Sequence, residues 1–529
     1  MLLRLLPEYM VPADLVAVRE LPLTPNGKTD RKFLAERENV QRKSKANFQH
    51  PRTLMEQALA GIWAELLGVE RVGLTDNFFE LGGDSIITIQ VVSRARRMGY
   101  ILKPRDLFAY QTIGKLSAAL VERTRVAGLG EQGVLTGGSG LTPIQRWYLD
   151  SAVEEVSHYN QSVLLGIDKG LDADRLEAAV EALLRQHDAL RFVYRRGASG
   201  WEQSYGTYKG RLDREDLRGV EDYGAEMTRL SDGYQRSLAI SKGELIRVVW
   251  FQTPAFERDN RLLIIIHHLV VDGVSWRILL EDLEELLEGG VKPGRKSSSY
   301  REWQEQLVHY GRRTLGQLKY WTAVLAGYRP LVADNGLVRM ADMGSCVVRL
   351  DKEQTRRLLQ EVPRAYHTEI NDVLLAALAK TICGWQGRDR ITIGLEGHGR
   401  EEGLFDGVDV SRTVGWFTSL YPVLLEVGQG IDGLLKGVKE QLRAVPDKGL
   451  GYGVLRYLKG ALEDKDSWDI TFNYLGQLDN IVRRSKWFRG VGGSAGTGIG
   501  EKHVVREKLL INGAVRGGEL VLNWRYSRL

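Results

Sequence analysis

Cysteine is almost missing from this chain. Cys346 and Cys383 stand alone in 529 residues, which excludes a disulfide framework and any CxxC metal site and fits a reducing cytoplasm. No uninterrupted apolar run reaches membrane length, and the opening stretch, interrupted by Pro7, lacks a signal-peptide layout, so no membrane partner is expected. An excess of one charge is lacking too: 73 basic and 68 acidic side chains leave a net +5. That balance gives no ground for nucleic-acid binding, and the basic stretch Lys28 to Lys45 reads as a solvated linker. HExxH motifs and clustered Cys/His sets are absent, so no metal centre is expected. Gly492, Ser494 and Gly496 satisfy GxSxG, but they lie in a glycine-rich loop rather than a strand-turn-helix elbow, and the loop lacks the ending of a phosphate-binding P-loop.

What is present is apolar content of 43%, ample for two to four cored domains. From Leu54 a helical unit begins, with Met55, Leu59, Ile62, Trp63 and Leu66 on one face. It ends near Arg125. Ala127 to Gly140 holds six glycines and no helical pattern, so a flexible tether is expected there. From Leu141 onward helices alternate with β-rich runs, long enough for one two-lobed α/β domain.

Two strings in that domain carry chemistry. His267-His268-Leu269-Val270-Val271-Asp272-Gly273 follows Leu262 to Ile266, an apolar run that reads as a buried strand. Glu396-Gly397-His398-Gly399-Arg400-Glu401 packs two carboxylates, an imidazole and a guanidinium between glycines. A histidine and a carboxylate facing one pocket can move a proton between two faces of a carbon. In the helical unit, Phe78 to Ile86 reads FFELGGDSI and places Ser85 after a glycine turn at a helix start. An ordinary capping serine is the plain alternative there.

The FFELGGDSI string resembles the thiolation (peptidyl carrier) domain of nonribosomal peptide synthetases, which implies an all-α four-helix bundle over 44–126 with 4′-phosphopantetheine on Ser85. The resemblance also implies that Asp84 assists the modifying enzyme, a phosphopantetheinyl transferase, and that Leu81 and Ile86 form an apolar docking face. LPEYMVP at Leu6 and LPLTPNGKTDRK at Leu21 resemble the end of an adenylation domain, so 1–43 is expected to be the remnant of one, with Lys28 idle for want of its upstream adenylation core. HHLVVDG is shared by condensation and epimerization domains. LTPIQRWYLD, NDVLLAAL, EGHGRE, RTVGWFTSLYP, DKGLGYG and FNYLGQ resemble the epimerization set in order, and no additional HH motif stands near Leu141 to Leu165. The resemblance implies a chloramphenicol-acetyltransferase-like pair of lobes over 141–529, behind a linker at 127–140. Related domains continue past a last strand into a closing helix, whereas this chain stops at Leu529.

The expected reaction is inversion of the α-carbon of a carrier-bound aminoacyl or peptidyl thioester, with a downstream condensation domain as the next partner. His268, ordinarily titrating at about 6.5, and Glu396, ordinarily at about 4.3 and needing burial to act as an acid, are the proton-transfer pair. His267 is expected to orient His268. Asp272 reads as structural, bonded to an arginine or to local backbone; Arg400 could pair with it or with Glu396. Asn473 and Tyr474 are candidate donors to an enolate oxygen, His398 and Glu401 support the loop, and Trp416 lines the tunnel. The alternatives are a condensation domain joining two carrier-bound substrates and a noncatalytic module that only docks carriers.

Overall fold

The computed structural model describes residues 48–121, 130–151, 154–207, 212–289, 294–332, 336–366, 368–462, 468–477 and 485–529. The adenylation-like segment 1–43, including Lys28, lies outside them. The carrier begins at a capping box: Thr53 Oγ1 accepts the Glu56 amide at 3.1 Å and Glu56 Oε2 accepts the Thr53 amide at 2.9 Å. That cap starts helix Leu54–Leu67, which ends at left-handed Gly68. Helices Ser85–Arg97, Pro104–Ala109 and Ile113–Val121 complete the four. Leu59, Trp63, Phe78, Val92, Leu107 and Leu116 are buried between them, so the expected helical face is the core face.

The tether expected over 127–140 is not loose in its described part, 130–140. Gly137–Ser139 forms a strand on the edge of Gly200–Tyr205, the Leu135 amide donates to Asp188 at 3.1 Å, and Glu131 accepts from Ser299 at 2.6 Å and pairs with Arg301. Backbone pairing to an open strand edge needs no side chain, so the glycines do not prevent it.

The large domain has two lobes. In the first, a five-stranded sheet runs in the order Phe488–Gly490, Asn160–Ile167, Asn260–His267, Ile246–Gln252, Leu212–Asp216. Its middle strand, Asn260–His267, is buried at every residue, which is why it reads as a continuous apolar run rather than an alternating one. The second lobe holds a six-stranded sheet in the order Ser419–Glu426, Arg390–Gly397, Ile470–Gln477, Leu509–Arg516, Glu519–Ser527, Met343–Leu350. The chain crosses back after the second lobe begins, since Phe488–Gly490 pairs with Leu165 to Ile167 of the first. Among the described residues no helix is long and apolar enough to cross a membrane.

The carrier is docked on this domain through the helix that Ser85 begins. Ile89 is buried in the large domain's core and Ile86 packs against it, whereas Leu81 packs inward on the carrier's own core. The expected Leu81–Ile86 docking face is therefore split, with Ile89 taking the second place one helical turn on. At the other end of the helix Arg96 donates to Asp409 at 2.5 Å and Glu402 at 2.6 Å, Arg94 reaches Glu281 at 3.6 Å and Arg97 pairs with Glu285. Cations in a last helical turn are favoured by the helix dipole, and here they meet carboxylates of the other domain. Glu402 is almost fully buried, so Arg96 is its charge balance. Arg96→Glu sets two carboxylates against a third and should weaken docking by roughly 2 kcal/mol or more. The carrier should then tumble independently in ¹⁵N relaxation measurements, and Asp409→Lys should partly restore one-body tumbling; unchanged relaxation in Arg96→Glu would count against this interface.

Candidate active site

Ser85 owes its position to two glycines. Gly82 takes φ +96°, which other residues rarely adopt, and a Cβ on Gly83 would come within 2.4 Å of the Phe78 ring. Asp84, not Ser85, is the helix cap: its Oδ1 accepts the Ile86 and Ile87 amides at 2.9 and 2.8 Å. The serine hydroxyl is thereby spared from capping, and Ser85 lines a cavity of about 690 Å³. His268 and Glu396 line the same cavity, from opposite lobes.

His268 follows the end of strand Asn260–His267, where the chain turns through His268–Val270 into helix Gly273–Leu287. Its Nδ1 contacts the Val271 carbonyl at 2.9 Å and its Nε2 the Gln161 amide nitrogen at 2.9 Å. Tyr159 stacks on the ring at a centroid distance of 5.3 Å and Trp416 packs against it, tilted, at 4.2 Å. Burial in this apolar sleeve holds its pKa below the ordinary imidazole value. His267 touches it less than expected. The His267 ring bonds the Val156 carbonyl at 2.9 Å and accepts the Leu269 amide at 3.2 Å; it braces the turn, while the orientation of His268 comes from Val271, Gln161 and the two aromatic rings.

Glu396 lies near the end of strand Arg390–Gly397, parallel to Ile470–Gln477 with Leu395 opposite Phe472. That register sets Asn473 beside it, and Asn473 Nδ2 donates to Glu396 Oε2 at 2.8 Å. Burial, reinforced by the negative charge of Glu507, pushes the Glu396 carboxyl up to about 7. Tyr474 also lines the cavity. Its buried hydroxyl has no hydrogen-bond partner among the described residues, and burial together with Asp84 raises its pKa, so it remains a proton donor.

Asp272 and Arg400 do not touch substrate space in the same way. Asp272 caps helix Gly273–Leu287 by accepting the Ser275 amide at 2.7 Å, accepts the Phe417 amide at 3.1 Å and pairs with Arg400 Nη2 at 3.2 Å. Arg400 also donates to the carbonyls of Val410 and Thr413 and to Ser275 Oγ, with its guanidinium 3.8 Å from the Phe417 ring centroid. Arg400 thus belongs to Asp272, not to Glu396. Gly399, at φ +67°, permits this: a Cβ there would lie 1.7 Å from the Phe417 carbonyl oxygen. His398 accepts the Arg400 amide at 3.0 Å and contacts Glu401 at 3.3 Å, so both support the loop. Trp416 packs behind His268 rather than lining the main cavity.

Gln161, Tyr159, Glu507 and Arg277 were not legible as site residues. The polar run Tyr159-Asn160-Gln161-Ser162 at the head of an apolar strand was the available signal for the first two, since polar residues entering a buried strand need a reason. Arg277 is buried near Asp84, beside the carrier's serine loop, and donates to the Leu475 carbonyl at 3.3 Å. Gln477 donates to the Gly82 carbonyl at 3.2 Å.

The residues present fit a phosphopantetheine arm: Ser85 is free of capping, stands at a helix start and lines a cavity that His268 and Glu396 also line. Comparison with known proteins agrees. The phosphopantetheine attachment site family matches residues 57–120, and the condensation domain family matches residues 138–528. One of the linear gramicidin synthase proteins of Brevibacillus parabrevis is 42% identical over 99% of this chain, and surfactin synthase subunit 2 of Bacillus subtilis is 41% identical over 99%. The chain spans only 10% and 15% of those proteins' lengths. The crystal structure of the epimerization domain from the third module of tyrocidine synthetase B superposes with a TM-score of 0.70 at 33% identity, covering 77% of this chain and 93% of that one. The condensation domain of the Monacolin K polyketide synthase shares the fold at 17% identity, with a TM-score of 0.60 over 75% of this chain and 93% of that one. The chain therefore belongs to the condensation-domain family of nonribosomal peptide synthetases, with a 4′-phosphopantetheine carrier domain ahead of the family's two-lobed fold.

Proposed function

We propose that the large domain inverts the α-carbon of an aminoacyl or peptidyl group carried as a thioester by the docked carrier. The observation that carries this reading is the pairing, in one cavity that Ser85 also lines, of a neutral histidine with a carboxyl raised to about 7. The arm on Ser85 supplies a thioester, which acidifies the α-hydrogen, and a tether that delivers it. His268 Nε2 accepts the α-proton from one face, the electron pair moves onto the carbonyl oxygen as an enolate, and Glu396 returns a proton to the other face. The reverse direction exchanges the roles. Tyr474 and the second N–H of Asn473, both on the cavity lining, would serve as donors to the enolate oxygen. Asn473 also fixes Glu396, a role beyond the one expected of it.

Peptide-bond formation uses the same histidine motif and fits the family match. Inversion is favoured because an amide-forming site has no need for a second, protonated acid across the cavity, and because the 33%-identical structure is an epimerization domain. A module that only docks carriers would not require either group's altered titration. A phosphopantetheinyl transferase, an upstream adenylation core and a downstream condensation domain are the partners this reading requires.

Incubated with a phosphopantetheinyl transferase and coenzyme A, the wild type should gain the mass of one arm and Ser85→Ala none; a gain by the variant would remove the carrier assignment. With the carrier loaded, His268→Ala and Glu396→Gln should each slow inversion by roughly 10²- to 10⁴-fold, with circular dichroism unchanged. Amide product from two loaded carriers, without inversion, would decide for the condensation reading.

The pH profile follows from the two titrations. The productive pair shares one proton, resting on Glu396 below about 7 and lost above it. His268, lowered by burial, stays neutral until more acidic pH. Inversion with His268 as base should therefore decline as pH rises through about 7 and again where His268 protonates on the acid side. A rate that climbs steadily through neutral pH would contradict Glu396 as the acid.

A further inference from the structure

The head of strand Asn160–Ile167 supplies a group that the proton-transfer pair leaves unexplained. Gln161 sits opposite Ile266 in the antiparallel register and faces the cavity. Its amide bridges two rings: Trp276 Nε1 lies 2.8 Å from Gln161 Oε1, and Gln161 Nε2 lies 2.9 Å from His268 Nε2. Indole N–H is a donor only, so the amide oxygen must accept there and the amide nitrogen must face the imidazole. That nitrogen is likewise a donor only. His268 Nε2 is consequently an acceptor, and the ring's proton sits on Nδ1, which donates to the Val271 carbonyl at 2.9 Å. The flanking Tyr159 and Trp416 rings oppose a turn of the imidazole that would exchange the two nitrogens.

We infer that Gln161 is a positioning residue for inversion: held by Trp276, its N–H occupies the lone pair of His268 Nε2 in the resting site and so fixes the Nδ1–H tautomer, until the substrate's α-hydrogen takes that place. This rests on the reading of His268 as a proton-transfer group. Protonating Nε2 sets N–H against N–H, so the same contact makes the imidazolium formed during turnover a ready donor. The other titratable groups around His268 are Tyr159 on its ring face, His503 stacked beyond Tyr159, His267 before it in the chain, Asp272 at the helix start, and Glu396 and Glu507 on the cavity wall. Among the described residues, the hydrogen-bond partners of its two ring nitrogens are Gln161 and Val271.

The test is ¹⁵N-histidine NMR of the full chain without substrate, with the His268 signals assigned by their loss in His268→Ala. The wild type should show the Nδ1–H tautomer. In Gln161→Glu a carboxylate accepts from both Trp276 and His268, which stabilises the imidazolium and should raise the His268 titration midpoint by about 1 unit or more. The acid limb of inversion should move up with it, lowering kcat about tenfold on that limb at nearly constant KM. Gln161→Met, which removes the donor without adding charge, should give mixed tautomers and a smaller upward shift. An Nε2–H tautomer in the wild type, or an unmoved titration in Gln161→Glu, overturns the inference. Should the wild type show the Nδ1–H tautomer and the expected shift but fail to invert a loaded substrate, the reading of the reaction falls and the positioning contact stands.

Discussion

One buried ion pair holds the two lobes in the relation that the site needs. Asp272 starts the helix that follows His268, and Arg400 lies four residues after Glu396, so their contact ties both motifs to one point. Burying two charges is costly and is offset by good geometry and further hydrogen bonds. Here Asp272 also accepts the Ser275 and Phe417 amides, and Arg400 donates to two carbonyls and a serine hydroxyl and faces an aromatic ring, with only its Nε lacking a partner among the described residues. Losing either partner would leave an uncompensated buried charge, a penalty of about 3–5 kcal/mol. The pair is thus a register pin: it fixes where the end of one sheet stands against the end of the other.

With the lobes pinned, enclosure does much of the tuning of the cavity's two titrating groups, helped at Glu396 by the charge of Glu507. Burial lowers His268 below the ordinary imidazole value and raises Glu396 to about 7, so a neutral imidazole and a protonated carboxyl coexist just below that pH. The carrier takes part in this enclosure, because Ser85 and Ile86 line the cavity themselves. The arginines at the far end of the same carrier helix hold it on the large domain through ion pairs that are in part exposed and therefore sensitive to salt.

Much of this was legible in the sequence, for physical reasons that differ by element. The strand at Leu262 to Ile266 is buried on both faces and so is uniformly apolar; the carrier helix from Leu54 shows its one buried face. Ser85, His268 and Glu396 stand in strings whose density of glycine and polar residues sets them apart from the apolar runs around them. The partner of Arg400 could not be read, since it depends on a register between lobes more than a hundred residues apart. The stretch 130–140 looked loose because composition reports side chains, whereas its strand is held by backbone pairing to Gly200–Tyr205. Gln161 escaped notice because a lone amide at a strand end is usually solvated; only the juxtaposition of Trp276 and His268 gives it direction. Leu81 faces the carrier's own core rather than the large domain for a related reason, as an apolar side chain does not announce which of two adjoining cores it joins.

The central claim is that two groups act from opposite faces of one carbon, and the most direct measurement is α-hydrogen washout in heavy water from each enantiomer separately. His268→Ala and Glu396→Gln, loaded with L- or D-aminoacyl thioester, should show complementary defects: each variant retains exchange from the enantiomer whose α-hydrogen faces the surviving group and loses it from the other. Loss of exchange from the same enantiomer in both variants, or undiminished exchange from both enantiomers in either one, would contradict the two-sided arrangement.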